Sequence, residues 1–392
     1  MESLATSIPD KGKSGVRMAR IDGLRALAIL GVMLHHFGVK PEGLVCWLDW
    51  GPVAPTVFFI LSGYLITKSL FKMQETGRTG AVAIAGFHLK RLARLLPALY
   101  LMLLVGWFSG LPEFREGILW HLTFLSNIYM ALTGEWAGHV SQMWSLSMQE
   151  QFYLLWPLIL FVPARWLGFA LAGVVLGALS FRVLCIHWEA PEMVRWLLLP
   201  GSLDAFAGGG LLALLLKNFP TFQFGGWKWL AGCLAVASWG TARILRHMDG
   251  TGNVLVALVD LFEVAFFSWL ILLIIQSPQS LIGRFLATRP MAALGRFSYG
   301  LFIWHMLVFC AMAPHLDRAG LTVADGMFAR TMLLVGASVM VAWLSWIAVE
   351  RPAVAWSNAV AANAPRQMVR ARQLASRLMW RIQDLLAGRE SA

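Results

Sequence analysis

Residues 254–276 read VLVALVDLFEVAFFSWLILLIIQ, and this stretch decides the class of the fold. A helix needs about 20 predominantly apolar residues to cross the hydrocarbon core of a bilayer, and this run meets that requirement. Similar runs fill most of the chain, in which 58% of the 392 residues are hydrophobic and 14% are charged. Soluble domains have about 25% charged residues. The sequence therefore predicts an all-α, polytopic bundle of transmembrane helices.

Ten apolar runs are long enough to span a membrane, and they occupy residues 24–40, 52–70, 92–111, 143–163, 166–187, 196–216, 227–245, 254–276, 291–313 and 331–349. An eleventh run, 118–132, has about fifteen residues, which is short for a span, so we predict a re-entrant or interfacial segment there. Lysines and arginines lie mainly on the side that ten spans place in the cytoplasm together with both termini. The formal net charge of +11 is thus explained by topology, and no nucleic-acid partner is expected.

Composition divides the chain into three segments. Residues 1–21 are a basic cytoplasmic N-terminal segment, 22–352 a membrane domain and 353–392 a basic cytoplasmic tail. The tail is predicted either as a helix on the anionic membrane surface or as a partly disordered segment. The helix hypothesis rests on apolar residues at helical spacing among arginines, namely Met368, Leu374, Leu378, Ile382 and Leu385. No small-residue cleavage site follows the first apolar run, so we expect that span to be retained.

The four cysteines lie inside or beside apolar runs, at Cys46, Cys185, Cys233 and Cys310. They show neither CxxC spacing nor the pattern of a metal site. We interpret them as small packing residues, and no metal site is predicted.

The first span carries ionisable side chains, which are costly at membrane depth and therefore indicate a polar interior or a function. Arg25 and His36 are eleven residues apart, close to three helical turns, so they share a helix face and lie about 16 Å apart along the axis. An extended coenzyme A thioester fits this separation, with its phosphates at Arg25 and its thioester towards His36. Alternatively, Arg25 snorkels to the headgroups and His36 bonds a neighbouring helix. His35 points about 100° away from that face.

Two further clusters stand near the second and third spans. Ser62 and Gly63 would let either another helix or a ligand approach the backbone, and helix packing alone is the simpler explanation. Arg91 and Arg94 lie at positions i and i+3 and can hold a phosphate together. The positive-inside rule explains the two arginines equally well.

Acidic side chains and another histidine stand in later spans. Glu150 either closes a capping box with Ser147, or it orients a histidine or neutralises an arginine in a polar cavity. His305 is a second buried imidazole in the ninth span, and Asp204 lies beside a run of glycines in the sixth. Each could be a structural group on its own, but together they indicate a polar, functional interior.

Several motifs follow one another over about residues 20–352: Asp22-Gly-Leu-Arg-Ala with His36, Phe58-Phe-x-Leu-Ser-Gly-Tyr64, Arg91-x-x-Arg94, Trp144-Ser-Leu with Glu150-Gln-Phe-Tyr153, Ser298-Tyr with Trp304-His305, and Glu350-Arg-Pro352. In this order they resemble acyltransferase family 3, the membrane acyltransferases that include O-antigen and exopolysaccharide acetylases. Family members commonly carry a second glutamate where this chain has Gln149.

The resemblance implies roles for individual residues. It makes Arg25 and His36 the central functional pair, with Glu150 as a further catalytic candidate, and it places Arg91 and Arg94 near the cytoplasmic face of the donor. The other candidates are divided between donor binding and the cavity: Ser62 and Tyr64 for the donor, and Trp144, Tyr153, Asp204 and His305 for the cavity or substrate.

The same resemblance implies a multi-pass O-acyltransferase of the bacterial inner membrane, surrounded by membrane lipid. Its donor substrate would be acyl-coenzyme A, in the first instance acetyl-coenzyme A, with no permanently bound cofactor, and its acceptor a hydroxyl of a cell-surface glycan or a similar molecule. His36 would take the proton from that hydroxyl. A polar passage must then carry the acyl group across the bundle. The alternatives are a glycan or lipid transporter and a non-catalytic membrane partner.

Overall fold

The computed structural model describes residues 11–39, 50–77, 79–219, 227–248, 254–277, 279–323 and 326–360. Within these ranges the regular structure is helical, without strands, which confirms the all-α prediction. In chain order the helices are α1 (Lys11–His36), α2 (Trp50–Glu75), α3 (Ala81–Phe108), α4 (Pro112–Glu116), α5 (Ile118–Leu122), α6 (Ser126–Thr133), α7 (Met143–Leu155), α8 (Ala164–His187), α9 (Glu192–Leu197), α10 (Leu203–Asn218), α11 (Trp227–Met248), α12 (Val254–Gln276), α13 (Leu281–Leu286), α14 (Arg289–Arg296), α15 (Ser298–Arg318) and α16 (Met327–Ser345).

Seven stretches of helix in the described chain are long and apolar enough to cross a membrane: Val53–Glu75, Ala81–Phe108, Ala164–His187, Leu199–Asn218, Ala257–Gln276, Ser298–Arg318 and Met327–Val360. The predicted spans 24–40, 143–163 and 227–245 do not meet the same criteria. The second of these is interrupted, because α7 ends at Leu155 and a 3₁₀ turn over Trp156–Phe161 follows. The count of ten spans and the cytoplasmic placement of both termini remain predictions.

The segment 118–132 does not form one continuous helix. It is divided between α5 and α6, and Phe124 between them has a left-handed φ of 57°. The longer of the two helices, α6, has eight residues, whereas a membrane span requires about 20. This agrees with the prediction that the segment is not a membrane span.

Glycines allow the central helices to approach each other closely. A Cβ atom on Gly63 of α2 would collide with the backbone carbonyl of Phe206 in α10, and one on Gly209 would collide with the carbonyl of Ile60. The two helices run in the same direction, since Phe59 stacks on Phe206 near one end and Glu75 pairs with Lys217 near the other. Of the two explanations for Gly63, helix packing is therefore the one that the fold supports.

Helix α1 lies in the middle of the bundle, against α2, α12, α13, α14 and α15. Close packing again depends on glycine, because a side chain at Gly23 would meet the carbonyl of Leu286 and one at Gly295 that of Asp22. Arg20, which is 5% exposed, donates from Nη1 to the carbonyls of Ile274 and Ile275 at 2.6 and 3.2 Å, at the C-terminal end of α12. Contacts on several sides thus hold helix α1 in place.

Some predictions fall on parts of the chain outside the described residues. These are the position of Cys46 and the proposed amphipathic helix in the tail, whose residues from 361 onward are not described. The other three cysteines, Cys185, Cys233 and Cys310, are free thiols. Helix α1 begins at Lys11, so the predicted N-terminal segment 1–21 is helical over its described part.

Candidate functional site

Most of the polar residues predicted for the site line two chambers along α1, one beside Arg25 in the middle of the helix and one beside His36 at its C-terminal end. We call the end with Arg25, Arg91 and Arg94 the arginine end, and the end with His36 and His305 the histidine end. The arginine chamber has a volume of about 370 Å³. Four basic side chains line it, namely Arg25, Lys90, Arg91 and Arg94. Lys90 was not singled out from the sequence, although it stands beside Arg91 on the same helix.

Arg91 of α3 is paired with an acidic and an aromatic residue of α7. Its Nε donates to Oε1 of Glu150 at 3.2 Å, and its guanidinium carbon lies 2.9 Å from the centre of the Tyr153 ring. The side chain of Glu150 is only 8% exposed, so it is a buried carboxylate paired with an arginine. The capping-box interpretation is wrong, because α7 begins at Met143 and Ser147 lies inside the helix. Of the two functional interpretations, the neutralisation of an arginine is the one the geometry favours.

Arg94 has a looser environment than Arg91. Its Nη2 donates to the carbonyl of Arg296 at 3.4 Å, and its side chain lines the arginine chamber. Arg25 lines the same chamber from α1. The three arginines that sequence analysis assigned to the donor are therefore brought together in space, from helices α1 and α3.

Ser62 is the polar centre of the chamber wall on α2. Its Oγ accepts hydrogen bonds from the Tyr153 hydroxyl at 2.7 Å and from Nε2 of Gln149 at 2.5 Å, and all three residues line the chamber. Tyr64, which we expected to bind the donor, is instead 1% exposed in the main hydrophobic core and does not line the chamber. Two residues along a helix turn a side chain by about 200°, and this rotation points Tyr64 away from Ser62.

The histidine chamber has a volume of about 540 Å³ and receives His36 from α1 and Trp144 from α7. His35 lines it too, contrary to the expectation that only His36 shares this face. The reason is a neighbour on the next helix, because the His35 ring packs against Gly51, at which a Cβ atom would be 2.6 Å from the ring.

The two chambers are neighbours inside the bundle. Val32, Pro55, Ser145 and Phe302 line both of them. Val32 lies seven residues after Arg25 and four before His36, on the same face of α1. The two chambers thus lie along α1, with basic groups in one and imidazoles in the other, and the passage between them remains a prediction.

His36 is paired with His305, which lies 269 residues away in sequence. Nδ1 of His36 is 2.8 Å from Nε2 of His305, and the rings stack with centroids 5.0 Å apart. Nδ1 of His305 faces the carbonyls of Leu301 and Phe302 at 3.1 and 2.9 Å, so that nitrogen carries the proton. Nε2 of His305 then accepts from Nδ1–H of His36. This leaves Nε2 of His36 with a free lone pair, which is the form a general base requires.

Asp204 lies outside both chambers. Its Oδ2 accepts from Nη2 of Arg182 at 2.7 Å, and Arg182 also donates to the carbonyls of Gly201 and Ala257. Arg182 is 1% exposed and is within 3.6 Å of Asp260. This buried network joins α8, α10 and α12. Asp204 also lines a smaller neighbouring cavity with Trp144 and Trp196, and its role in substrate binding remains a prediction.

Several residues that line the histidine chamber were not predicted from the sequence, among them Trp136, Gln142 and Trp196. Trp136 lies between α6 and α7, Trp196 belongs to the short helix α9, and Gln142 precedes α7, two residues before Trp144. Their positions follow from how the segments between α3 and α10 fold over the histidine end. The nearness of Gln142 to a motif is the only sequence signal that could have indicated any of them.

This arrangement belongs to a membrane-embedded acyltransferase. A family model described as an acyltransferase domain matches residues 18–350, and the chain belongs to that family, acyltransferase family 3. The sequence-based assignment to the family and to acyl transfer is thereby confirmed, and relatives named as O-acetyltransferases support transfer to oxygen.

The curated relatives are distant and longer than this chain. The "Peptidoglycan O-acetyltransferase OatA" of Listeria monocytogenes is 24% identical over 369 residues, 85% of this chain and 55% of the relative. The "Putative peptidoglycan O-acetyltransferase YrhL" of Bacillus subtilis is 26% identical over 373 residues, 85% of this chain and 54% of the relative. The chain thus spans about half the length of the curated relatives it matches. No solved structure gives a significant match.

Proposed function

We propose that this protein transfers an acyl group, in the first instance acetyl, from acyl-coenzyme A at the arginine end to a glycan hydroxyl at the histidine end. The arginine end would face the cytoplasm of a bacterial cell, where the donor is made and where basic segments are retained. The family membership favours this function over the transporter and the non-catalytic partner. Residues 22–352 would constitute the catalytic membrane domain.

One observation carries the proposal, which is the pair of neighbouring chambers along α1. Arg25, Arg91 and Arg94 offer guanidinium donors to the phosphates of coenzyme A, and guanidinium groups bind phosphate in well-defined geometry. The extended pantetheine arm would then lie along α1 and bring the thioester to the residues shared by both chambers. About 16 Å of helix separate Arg25 from His36, so the two ends of one elongated ligand can use both.

The chemistry proposed for the histidine end is direct transfer. The acceptor oxygen attacks the thioester carbonyl while Nε2 of His36 removes the hydroxyl proton. The C–S bond then breaks, the ester forms, and the departing thiolate takes up the proton that the His36 ring received from the acceptor, which returns His36 to its neutral form. His305 keeps Nδ1 of His36 protonated during this step and shares the positive charge that develops on the His36 ring. His36 is the catalytic residue in this scheme, and His305 is a positioning residue.

We propose that the acceptor is a cell-surface glycan, and peptidoglycan is one candidate. Support comes from the relatives whose names specify peptidoglycan O-acetylation. It also comes from the histidine chamber, whose described lining contains aromatic and neutral polar groups beside the two histidines.

Sealed proteoliposomes test transfer across the bundle. Labelled acetyl-coenzyme A is enclosed inside the vesicles and a panel of neutral aryl glycosides is added outside, with a second preparation holding donor and glycosides on the same side. We expect labelled ester only when donor and glycoside are on opposite sides. Product formed equally well on one side would overturn transfer along the passage, and the absence of any labelled product from acetyl-coenzyme A would overturn the donor assignment.

A further inference from the structure

Gln142 stands out among the residues of the histidine chamber because its side chain is buried without a partner. It is 3% exposed, and neither its amide nitrogen nor its amide oxygen has a hydrogen-bond partner among the described residues. An unsatisfied buried polar group is unfavourable, because it has given up its bonds to water without replacing them. Gln142 lines the chamber that contains His36, so this unpartnered amide belongs to a residue of the chamber wall.

Aromatic faces surround this amide. Trp136, Trp144 and Trp196 line the same chamber, and Trp136 is 55% exposed at its rim. The flat apolar face of an indole packs against the C–H face of a sugar ring, and its N–H can still bond a polar partner. An amide complements such a ring in a specific way, because it offers both a donor and an acceptor to neighbouring hydroxyls.

The charge of the chamber limits the kind of ligand further. In the part of the chain that the structure describes, His35 and His36 are its ionisable lining residues, whereas four basic side chains line the arginine chamber. A phosphorylated or carboxylate ligand would therefore find its counter-charges at the other end of the passage. The histidine chamber suits an uncharged, hydroxyl-rich ring.

We propose that Gln142 and the three tryptophans form the acceptor subsite, in which a neutral saccharide ring stacks on indole and is held by both atoms of the Gln142 amide. This inference rests on the proposed function and specifies its acceptor. Gln142 would determine which hydroxyl faces Nε2 of His36. Its role is acceptor recognition, separate from proton transfer and from donor binding.

The chain offers a matched control for Gln142 in Gln151, one of the glutamines of α7. Nε2 of Gln151 donates to the Phe124 carbonyl at 3.0 Å and to Oδ1 of Asn127 at 2.8 Å, and its Oε1 accepts from Asn127 at 3.3 Å. Gln151 is thus a partly buried glutamine with its bonds made inside the protein. We therefore compare replacement by leucine at both positions. Gln142→Leu should weaken recognition of the acceptor, and Gln151→Leu should lower the stability of the fold.

The experiment measures transfer from labelled acetyl-coenzyme A to two acceptors, a neutral aryl glycoside and glycerol at high concentration. Glycerol supplies a hydroxyl without a ring, so its acetylation reports the chemistry alone. For Gln142→Leu we expect kcat/KM for the glycoside to fall about 10- to 100-fold, since a site built to bond hydroxyls loses both bonds. Transfer to glycerol should fall much less than transfer to the glycoside, KM for the donor should stay unchanged, and the thermal midpoint should not fall. Gln151→Leu should lower the thermal midpoint and leave the ratio between transfer to the glycoside and transfer to glycerol at its wild-type value.

Three results would overturn the inference. The first is an equal loss of transfer to glycoside and to glycerol in Gln142→Leu, which would make its role structural or chemical. The second is a Gln142→Leu protein that acetylates both acceptors normally. The third is a wild-type protein that acetylates glycerol but no glycoside, which rejects the saccharide while leaving acyl transfer intact. A wild-type protein that acetylates neither acceptor would instead reject the proposed function itself, and the inference with it.

Discussion

The two chambers of the bundle differ in the chemistry of their walls. The arginine chamber is lined by four basic side chains, of which Arg91 is already paired with Glu150. The histidine chamber is lined by imidazole, indole and amide groups, and its base is prepared by a second histidine. In the proposed function, this difference separates two tasks along one helix, with recognition of the anionic donor at one end and proton transfer from a neutral acceptor at the other. Variants at each end should therefore alter different kinetic constants.

The largest expected effect comes from His36. His36→Asn should reduce turnover about 10²- to 10⁴-fold, the usual scale for a general base, because asparagine keeps a polar side chain but cannot carry the proton. KM for acetyl-coenzyme A should stay near the wild-type value, since the donor phosphates bind at the other chamber. His35→Asn is the control and should cost much less, since the His305 contact is made by His36. Full turnover in His36→Asn would place the base elsewhere.

At the arginine end, Arg94→Ala should raise KM for acetyl-coenzyme A about 10- to 100-fold with little change in kcat, as hydrogen bonds to charged groups contribute about 1.5–3 kcal/mol. Stability should be preserved because Arg94 has no carboxylate partner at hydrogen-bond distance among the described residues. Measurement of donor binding and of the thermal midpoint checks both points. Unchanged donor affinity in Arg94→Ala would remove this arginine from the site.

Arg91 provides a sharper version of the same comparison. Arg91→Ala should weaken donor binding and also destabilise the fold, because it leaves the Glu150 carboxylate buried and unpaired. The double variant Arg91→Ala with Glu150→Gln should recover stability but not donor affinity. Recovery of both together would mean that Arg91 acts only through its structural pairing.

His305 should give a smaller effect, confined to turnover. His305→Leu removes the acceptor of the His36 Nδ1 proton and should lower kcat about 10-fold without raising KM for the donor. His305→Gln supplies a carbonyl oxygen as acceptor and should restore part of kcat. A loss of donor affinity, or equal activities for the leucine and glutamine variants, would contradict the positioning role.

The smallest effect should arise at the rim of the histidine chamber, where Oε1 of Glu113 lies 2.5 Å from Nδ1 of His139. Burial raises the pKa of Glu113, but hydrogen bonds from the side chain and backbone of His139 outweigh it and hold the pKa below its usual value. A depressed carboxyl pKa adds stability above the usual value of 4.5, and that stability is lost as pH falls through the folded-state pKa. Glu113→Gln should therefore lower the thermal midpoint slightly at pH 7, by about 2 °C or less, and the difference from the wild type should shrink as the pH is lowered below 4.5.

Much of this site could be predicted within single helices. Helical periodicity correctly placed Arg25 and His36 on one face of α1, and the i, i+3 spacing correctly brought Arg91 and Arg94 to one chamber. A prediction from helical periodicity alone fails where a neighbouring helix decides which cavity a side chain enters. His35 lines the chamber after all, because Gly51 leaves room for its ring there.

Partners between helices could not be predicted in this way. Nothing in the local sequence pairs His36 with His305, Glu150 with Arg91, or Asp204 with Arg182. Each pair joins side chains from two different helices. Which side chains meet depends on how closely those helices pack, and glycines contribute to that packing. For the same reason the sequence motif around Ser62 did not reveal that Tyr64 belongs to the core.

The amino-acid sequence by itself determined a bundle of membrane helices, an acyltransferase family and the spacing of a basic and an imidazole group along the first span. These follow from properties that the chain carries locally, since apolar length, charge position and helical phase are independent of what packs nearby. Only the tertiary structure decided which side chains share a chamber, which nitrogen of His36 is free, and that Gln142 belongs to the chamber that contains His36. Those outcomes depend on the mutual packing of helices, and a hydrogen bond or a cavity exists only when separate segments meet.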